Sequence, residues 1–239
     1  MANLTQLRML ENLNAFLLVD KPAGIAFSTV VKTVKRKFNL VKVGHGGSLD
    51  AAASGLLVLL INDANKFTGD VMGADREYEG TIRLAHRTDT GDKYGNAIPA
   101  PGGELPSDEA LAAALKEFKG DIFQKEPRFC SVRREGSAAY EVADTGEHDP
   151  FLVHVWRLDV AKTAQDALSY RVSATKGLIV RALADELGMA LGTGAVLESC
   201  RRTRVGKFKV EDAIAFDRLL ETEMKDFAQC TIPLGTALR

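Results

Sequence analysis

Apolar positions along this chain fall into continuous runs and alternating runs, and the two kinds predict the strands. The run from Phe16 to Val19 within AFLLVDKPAG is continuous, which predicts a buried strand closed by a turn at Pro22 and Gly24. GLLVLLIN predicts a second buried strand. EYEGTIRLAH alternates instead, placing Tyr78, Gly80, Ile82 and Leu84 on one face of a third. LVHVWRLDV and LSYRVSA also alternate and predict a hairpin around TAQDA.

Helical spacing fills the intervals. Ser28 is placed to cap a short helix on which Val31, Val34 and Phe38 share one face and lysines occupy the other. Ser107 is placed to cap SDEALAAALKEFKG, with Leu111, Leu115 and Phe118 inward and Gly120 as the stop. LIVRALADEL follows Gly177 and is expected to stop at Gly188, and VEDAIAFDRLLETEMKDF supplies the last helical region. Gly91, Asp92, Gly95 and Pro99 to Gly103 mark a loop region, while residues 124–150 are irregular, basic at first and then acidic. Strands and helices alternate without strict βαβ repetition, so the expected class is α+β with a mainly antiparallel sheet.

Length and composition add boundaries to this picture. A chain of 239 residues, 46% hydrophobic and 26% charged, is expected to fold as one main globular domain spanning 1–239. The longest apolar stretch, Leu56 to Ile61, is far shorter than the roughly 20 residues that cross a bilayer, and MANLTQLRMLENLN has no apolar signal core. A cytoplasmic protein without membrane contact is expected. Cys130, Cys200 and Cys230 and the four histidines have no metal-ligand spacing, so neither a disulfide framework nor a metal site is expected.

The net charge of −1 is uninformative, but its distribution is not. Basic residues gather in three stretches: Lys32 to Lys42; Lys125, Arg128, Arg133 and Arg134; and Arg201, Arg202, Arg204, Lys207 and Lys209. Each alone reads as a solvated face. Together they admit a nucleic-acid surface as an equal alternative.

The segment VGHGGSLDAAASGLLVLL concentrates glycines, a histidine and a carboxylate just before a buried strand. Glycine lets a backbone turn tightly or approach a ligand, which would leave Asp50 held at the edge of the core. The other reading is that Ser48 or Asp50 merely caps the turn AAASG.

GHGGSLDAAASG resembles the motif GHTGTLDPLATG of the TruB-type tRNA pseudouridine synthases, and it follows DKPAG, which resembles the family's DKPxG. REYEGTIRL and TDTGD are similar to KxYxAxIRLG and TDTGD. EPRFCSVRREGSAAYEVADTG resembles PPxxSAxKxxGxxxYxxAR, KGLIVRALADELG resembles GTYIRSLxxDLG, and CRRTRVGKF resembles LRRTxxGxF. The order of these segments agrees with the family from Phe16 to the end.

This resemblance implies the pseudouridine synthase fold, with a central mixed sheet flanked by helices and loops, and an isomerase that needs no cofactor. Its implied target is uridine 55 in the T-arm hairpin of tRNA. The catalytic residues implied are Asp50 as the carboxylate, Tyr78 as the ring that stacks on the uracil, and Arg181 as the guanidinium paired with Asp50. Lys21 and Pro22 would shape the pocket floor, Lys176 and Gly177 would lead Arg181 into place, and His45 would fill the space left by a flipped base. Residues 124–147 correspond to an RNA-gripping loop. Arg128, Arg133, Arg134, Arg201 and Arg202 fit phosphate contacts. A small C-terminal RNA-binding domain often follows the segment resembling CTIPLGTALR in the family, and the expectation here is a catalytic domain without it. A monomer is expected.

Departures from the motifs are also visible. Gly46 and Ser48 replace threonines, Ala51 a proline, Arg133 a lysine and Cys200 a leucine; Leu178 and Ile179 stand where Thr-Tyr is usual. They motivate two rival readings, a synthase acting on a different structured RNA and an RNA-folding chaperone with weakened catalysis. Retention of Asp50, Tyr78 and Arg181 favours the enzyme.

Overall fold

A computed structural model describes residues 10–125 and 149–237, together with the backbone of 129–131 and 140–142. The chain forms two compact units, Met1–Ala74 with Arg202–Arg239, and Asp75–Arg201.

The first unit begins with β1 (Ala15–Lys21), α1 (Phe27–Lys37), β2 (Val43–His45) and β3 (Ser54–Ile61), then a 3₁₀ turn (Asn62–Phe67) and α2 (Thr68–Gly73). β1 and β3 pair antiparallel from Ala15 opposite Ile61 to Lys21 opposite Gly55. Both strands are covered on both faces, which is why their sequences are continuous apolar runs. Leu17, Val19, Leu57, Leu59 and Ile61 pack under α1 with Val30, Val34 and Phe38. Phe16, Leu18, Leu56, Val58 and Leu60 face the opposite way, onto Ala64, Val71 and Phe208.

One expectation for α1 needs correction. Its N-cap is Ala26, without a side-chain bond, so Ser28 lies inside the first turn instead of capping it. Val31 packs half-buried on the same core as Val34 and Phe38, and Val30 beside it is fully buried. Lys32, Lys35 and Arg36 are exposed.

The second unit contains β4 (Arg76–Leu84), α3 (Asp108–Ala114) with a 3₁₀ turn (Leu115–Phe118), β5 (Gly120–Gln124), β6 (Phe129–Ser131), β7 (Tyr140–Val142), β8 (Phe151–Ala164), β9 (Ala167–Ala174) and α4 (Val180–Ala190). β10 (Ala195–Val205) runs from this unit back into the first. The order here is β10-β4-β9-β8-β5. Tyr78, Ile82 and Leu84 join the core of this unit with Leu111, Leu115 and Phe118, as their spacing predicts. Ser107 does cap α3, accepting from the Ala110 amide at 3.2 Å.

Three further corrections concern this unit. Gly120 does not only stop a helix, since with φ +79° it opens β5. Within the expected irregular stretch, β6 and β7 pair with Phe129 opposite Val142. Gly188 lies inside α4, which runs on to Ala190; a Cβ there would sit 2.1 Å from the Ala195 nitrogen, so it serves close packing.

The chain returns through β11 (Phe208–Lys209), β12 (Ile214–Ala215), α5 (Phe216–Glu221), β13 (Ile232–Pro233) and α6 (Leu234–Ala237). The single helical region expected here is therefore broken, because Ile214 and Ala215 pair parallel with Val19 and Asp20 at the edge of β1. β1 with β3, β4 with β9, β5 with β8 and β8 with β9 all pair antiparallel, so the architecture is α+β with a mixed, mainly antiparallel sheet. Among the described residues, no helix is long and apolar enough to cross a membrane.

Candidate active site

Asp50 sits half-buried in the loop between β2 and β3, not in a helix cap. The loop is anchored along its length. The Gly46 amide donates to the Val58 carbonyl at 2.8 Å, the Ala53 amide to Asp50 O at 3.1 Å, and the Gly24 amide to Ala51 O at 2.7 Å. Gly46 departs from the family's threonine for a visible reason: a Cβ would lie 2.2 Å from Val71 Cγ1, so the side chain of Val71 occupies that space.

Two buried cations hold the same loop. Lys21 is fully buried, and its ammonium donates to the carbonyls of Pro22 at 2.8 Å, Ile25 at 2.9 Å and Ala51 at 3.4 Å. Arg202 is 1% exposed and donates to Leu56 O at 2.8 Å, Ser48 O at 2.7 Å and Gly47 O at 3.4 Å. This corrects the expectation that Arg202 contacts phosphate, since its guanidinium is turned into the protein and taken up by backbone carbonyls. Arg201, beside it, remains partly exposed, and Lys207 and Lys209 are exposed.

His45 precedes the loop and is half-buried, its ring edge-on to Phe27 with centroids 4.9 Å apart. Its Nδ1 accepts from the Gly47 amide at 3.3 Å, which orients the ring. Phe27 was not singled out in the sequence; an aromatic at the start of an amphipathic helix carries no signal of its own.

The second unit carries Tyr78 and Arg181. Tyr78 is 7% exposed on β4, opposite Val172 of β9. Arg181 is 5% exposed in the first turn of α4, and its Nη1 donates to Thr90 O at 2.9 Å. The TDTGD loop is itself built around Asp92, whose buried carboxylate accepts from Thr90 Oγ1 at 2.9 Å and the Tyr94 amide at 3.0 Å. Arg87 adds a two-pronged pair to Asp185 at 2.7 and 2.9 Å, which raises the Arg87 pKa. Lys176 and Gly177 are exposed in the turn before α4, with Gly177 at φ +99°.

Gln124 and Tyr170 escaped sequence reasoning. Gln124 is fully buried and clasps Ile179 from both sides, its Oε1 accepting from the Ile179 amide at 3.0 Å and its Nε2 donating to the carbonyl at 3.3 Å. A glutamine ending a short strand gives no local hint of this. Tyr170 lies across from Gly80, donates to Ser199 O at 3.2 Å, and has its phenol pKa pushed up by burial and then by Cys200.

Arg128, Arg133 and Arg134 lie outside the described residues, as does most of the 124–147 loop. No group of three metal-ligating side chains occurs among the described residues. The first unit presents the carboxylate of Asp50, and the second presents the buried ring of Tyr78 and the buried guanidinium of Arg181.

Residues 35–180 match the model described as TruB family pseudouridylate synthase (N terminal domain), and residues 181–239 match that of the tRNA pseudouridylate synthase B C-terminal domain. The chain is 39% identical over 211 residues to tRNA pseudouridine synthase B of Burkholderia pseudomallei (strain 668), covering 87% of this chain and 69% of that protein. It is 35% identical over 234 residues to the Opitutus terrae protein of the same name, covering 95% of each. Among solved structures it is similar to a chain of a Cbf5-Nop10-Gar1 complex, with TM-score 0.72 and 26% identity over 97% of this chain. It spans 63% of that chain's length.

Proposed function

The chain belongs to the TruB family of pseudouridylate synthases, and from that premise we propose that its substrate is tRNA, its target uridine 55 of the T-arm, and its catalytic carboxylate Asp50. The observation that carries the assignment of Asp50 is the loop 46–51, in which buried Lys21 and Arg202 grip the backbone on either side of a carboxylate that matches the family's motif. The relatives named tRNA pseudouridine synthase B support tRNA as the substrate, at a higher identity than the Cbf5 complex.

The reaction keeps the base and its oxidation state. The N1–C1′ bond breaks, the uracil turns, a C5–C1′ bond forms, the C5 proton leaves and N1 gains one. A carboxylate suits this sequence because it can bond to carbon or take a proton and then depart. Tyr78 supplies a ring for the uracil to stack on, and Arg181 supplies a fixed positive charge for the ionised groups of the reaction. The uridine must leave its helix first, at a cost of roughly a few kcal/mol, which stacking by His45 in the vacated space would offset.

Incubation with transcribed tRNA followed by chemical mapping of pseudouridine tests this reading. A single new pseudouridine at position 55 of the T-arm is the expected result. Modification elsewhere would move the target, and binding without modification would favour the chaperone.

A further inference from the structure

We infer that Arg202 is a positioning residue of the reaction, acting through the backbone that carries Asp50. The inference rests on Asp50 being the catalytic carboxylate.

Arg202 stands second in a run of cations, CRRTR, yet it is among the most deeply buried side chains of the first unit. Its donors spread over two strand-flanking segments. Nη1 and Nη2 reach Ser48 and Gly47, the two residues just before Leu49 and Asp50, whereas Nε reaches Leu56 in β3. Carbonyls 47 and 48 belong to a loop in which Gly47 has φ +124°, and one planar guanidinium donates to both.

The approach of β10 is built for this. Gly55 has φ +103°, and a Cβ there would lie 2.3 Å from Arg202 O and 2.8 Å from its nitrogen, so the two backbones touch where the guanidinium enters. Lysine has the charge and three donors, but all on one nitrogen, so it cannot span the Leu56 and Ser48 carbonyls that the guanidinium reaches from separate nitrogens. A loop released from these bonds would let the carboxylate drift, and misplacement of about 1 Å can cost on the order of a hundredfold in rate.

The test compares Arg202→Lys, Arg202→Gln and Asp50→Asn in the full chain, with transcribed tRNA as substrate. For Arg202→Lys we expect kcat to fall by about tenfold or more with KM within about twofold, and an unchanged slope of log affinity against log salt. Arg202→Gln should lower kcat further, again with RNA binding retained. A raised KM with intact kcat and a slope shallower by about one unit would make Arg202 a phosphate contact and overturn the inference. Full activity of both Arg202 variants beside an inactive Asp50→Asn would also overturn it while leaving Asp50 in place. An active Asp50→Asn would sink the underlying reading instead. If both Arg202 variants lost the cooperative melt together with RNA binding, Arg202 would be a residue of the core alone, and the positioning role would fall.

Discussion

Arg181 donates from Nη1 to the Thr90 carbonyl at 2.9 Å, so the guanidinium proposed for catalysis is held by the backbone of the TDTGD loop. The contact is tight on both sides, because a Cβ on Gly91 would lie 3.0 Å from the Arg181 carbonyl oxygen.

Gly91 has φ +77°, a left-handed conformation that costs an ordinary residue roughly 1–2 kcal/mol. Gly91→Ala is therefore expected to lower stability by about that amount and to lower kcat by shifting the Thr90 carbonyl. Denaturant midpoints and single-turnover rates check the two effects separately, and a stable variant with wild-type turnover would disconnect this loop from Arg181.

Asp50→Asn preserves shape but removes the carboxylate proposed as nucleophile or base. Turnover should fall by a factor on the order of 10² to 10⁴ while tRNA affinity stays the same. Filter binding and pseudouridine mapping on one preparation measure both; near-normal turnover would remove Asp50 from the mechanism.

Burial holds the Glu186 carboxyl above its ordinary value of 4.5, with the Gln124 hydrogen bond opposing the shift and Asp185 adding to it. The folded protein therefore binds this proton more tightly than the unfolded chain. Its contribution to stability is complete below the unfolded value and is lost as pH rises through the higher folded one. Glu186→Gln should raise Tm at about pH 7 and change it little at about pH 4. An equal gain at both would show that ionisation is not the cause.

Phe38 and Phe227 stack with ring centroids 3.8 Å apart and planes at 18°, and both are fully buried. Phe227→Ala should cost about 3–5 kcal/mol, a large share of the 5–15 kcal/mol typical of a domain. Urea unfolding measures it, and a loss below about 1 kcal/mol would mean that the first unit closes over the gap.

Sequence patterning determined the elements whose order is local. The continuous runs of β1 and β3, the alternation of β4, β8 and β9, and the Ser107 cap each follow from side chains within a few residues of one another. The motif order likewise singled out Asp50, Tyr78 and Arg181 as the carboxylate, ring and guanidinium proposed for catalysis, because those residues are legible as types at fixed spacings. Tertiary structure decided what depends on partners distant in the chain. Nothing near Gly188 indicates that Ala195 packs against it, and nothing in VEDAIAF indicates that Ile214 completes the edge of β1. Arg202 is the clearest case: in a basic run it reads as a solvated charge, yet it is buried because three carbonyls more than 140 residues earlier need its donors. A buried charge is stable only where its hydrogen bonds are met, and those acceptors exist only once the loop before β3 has folded against β10.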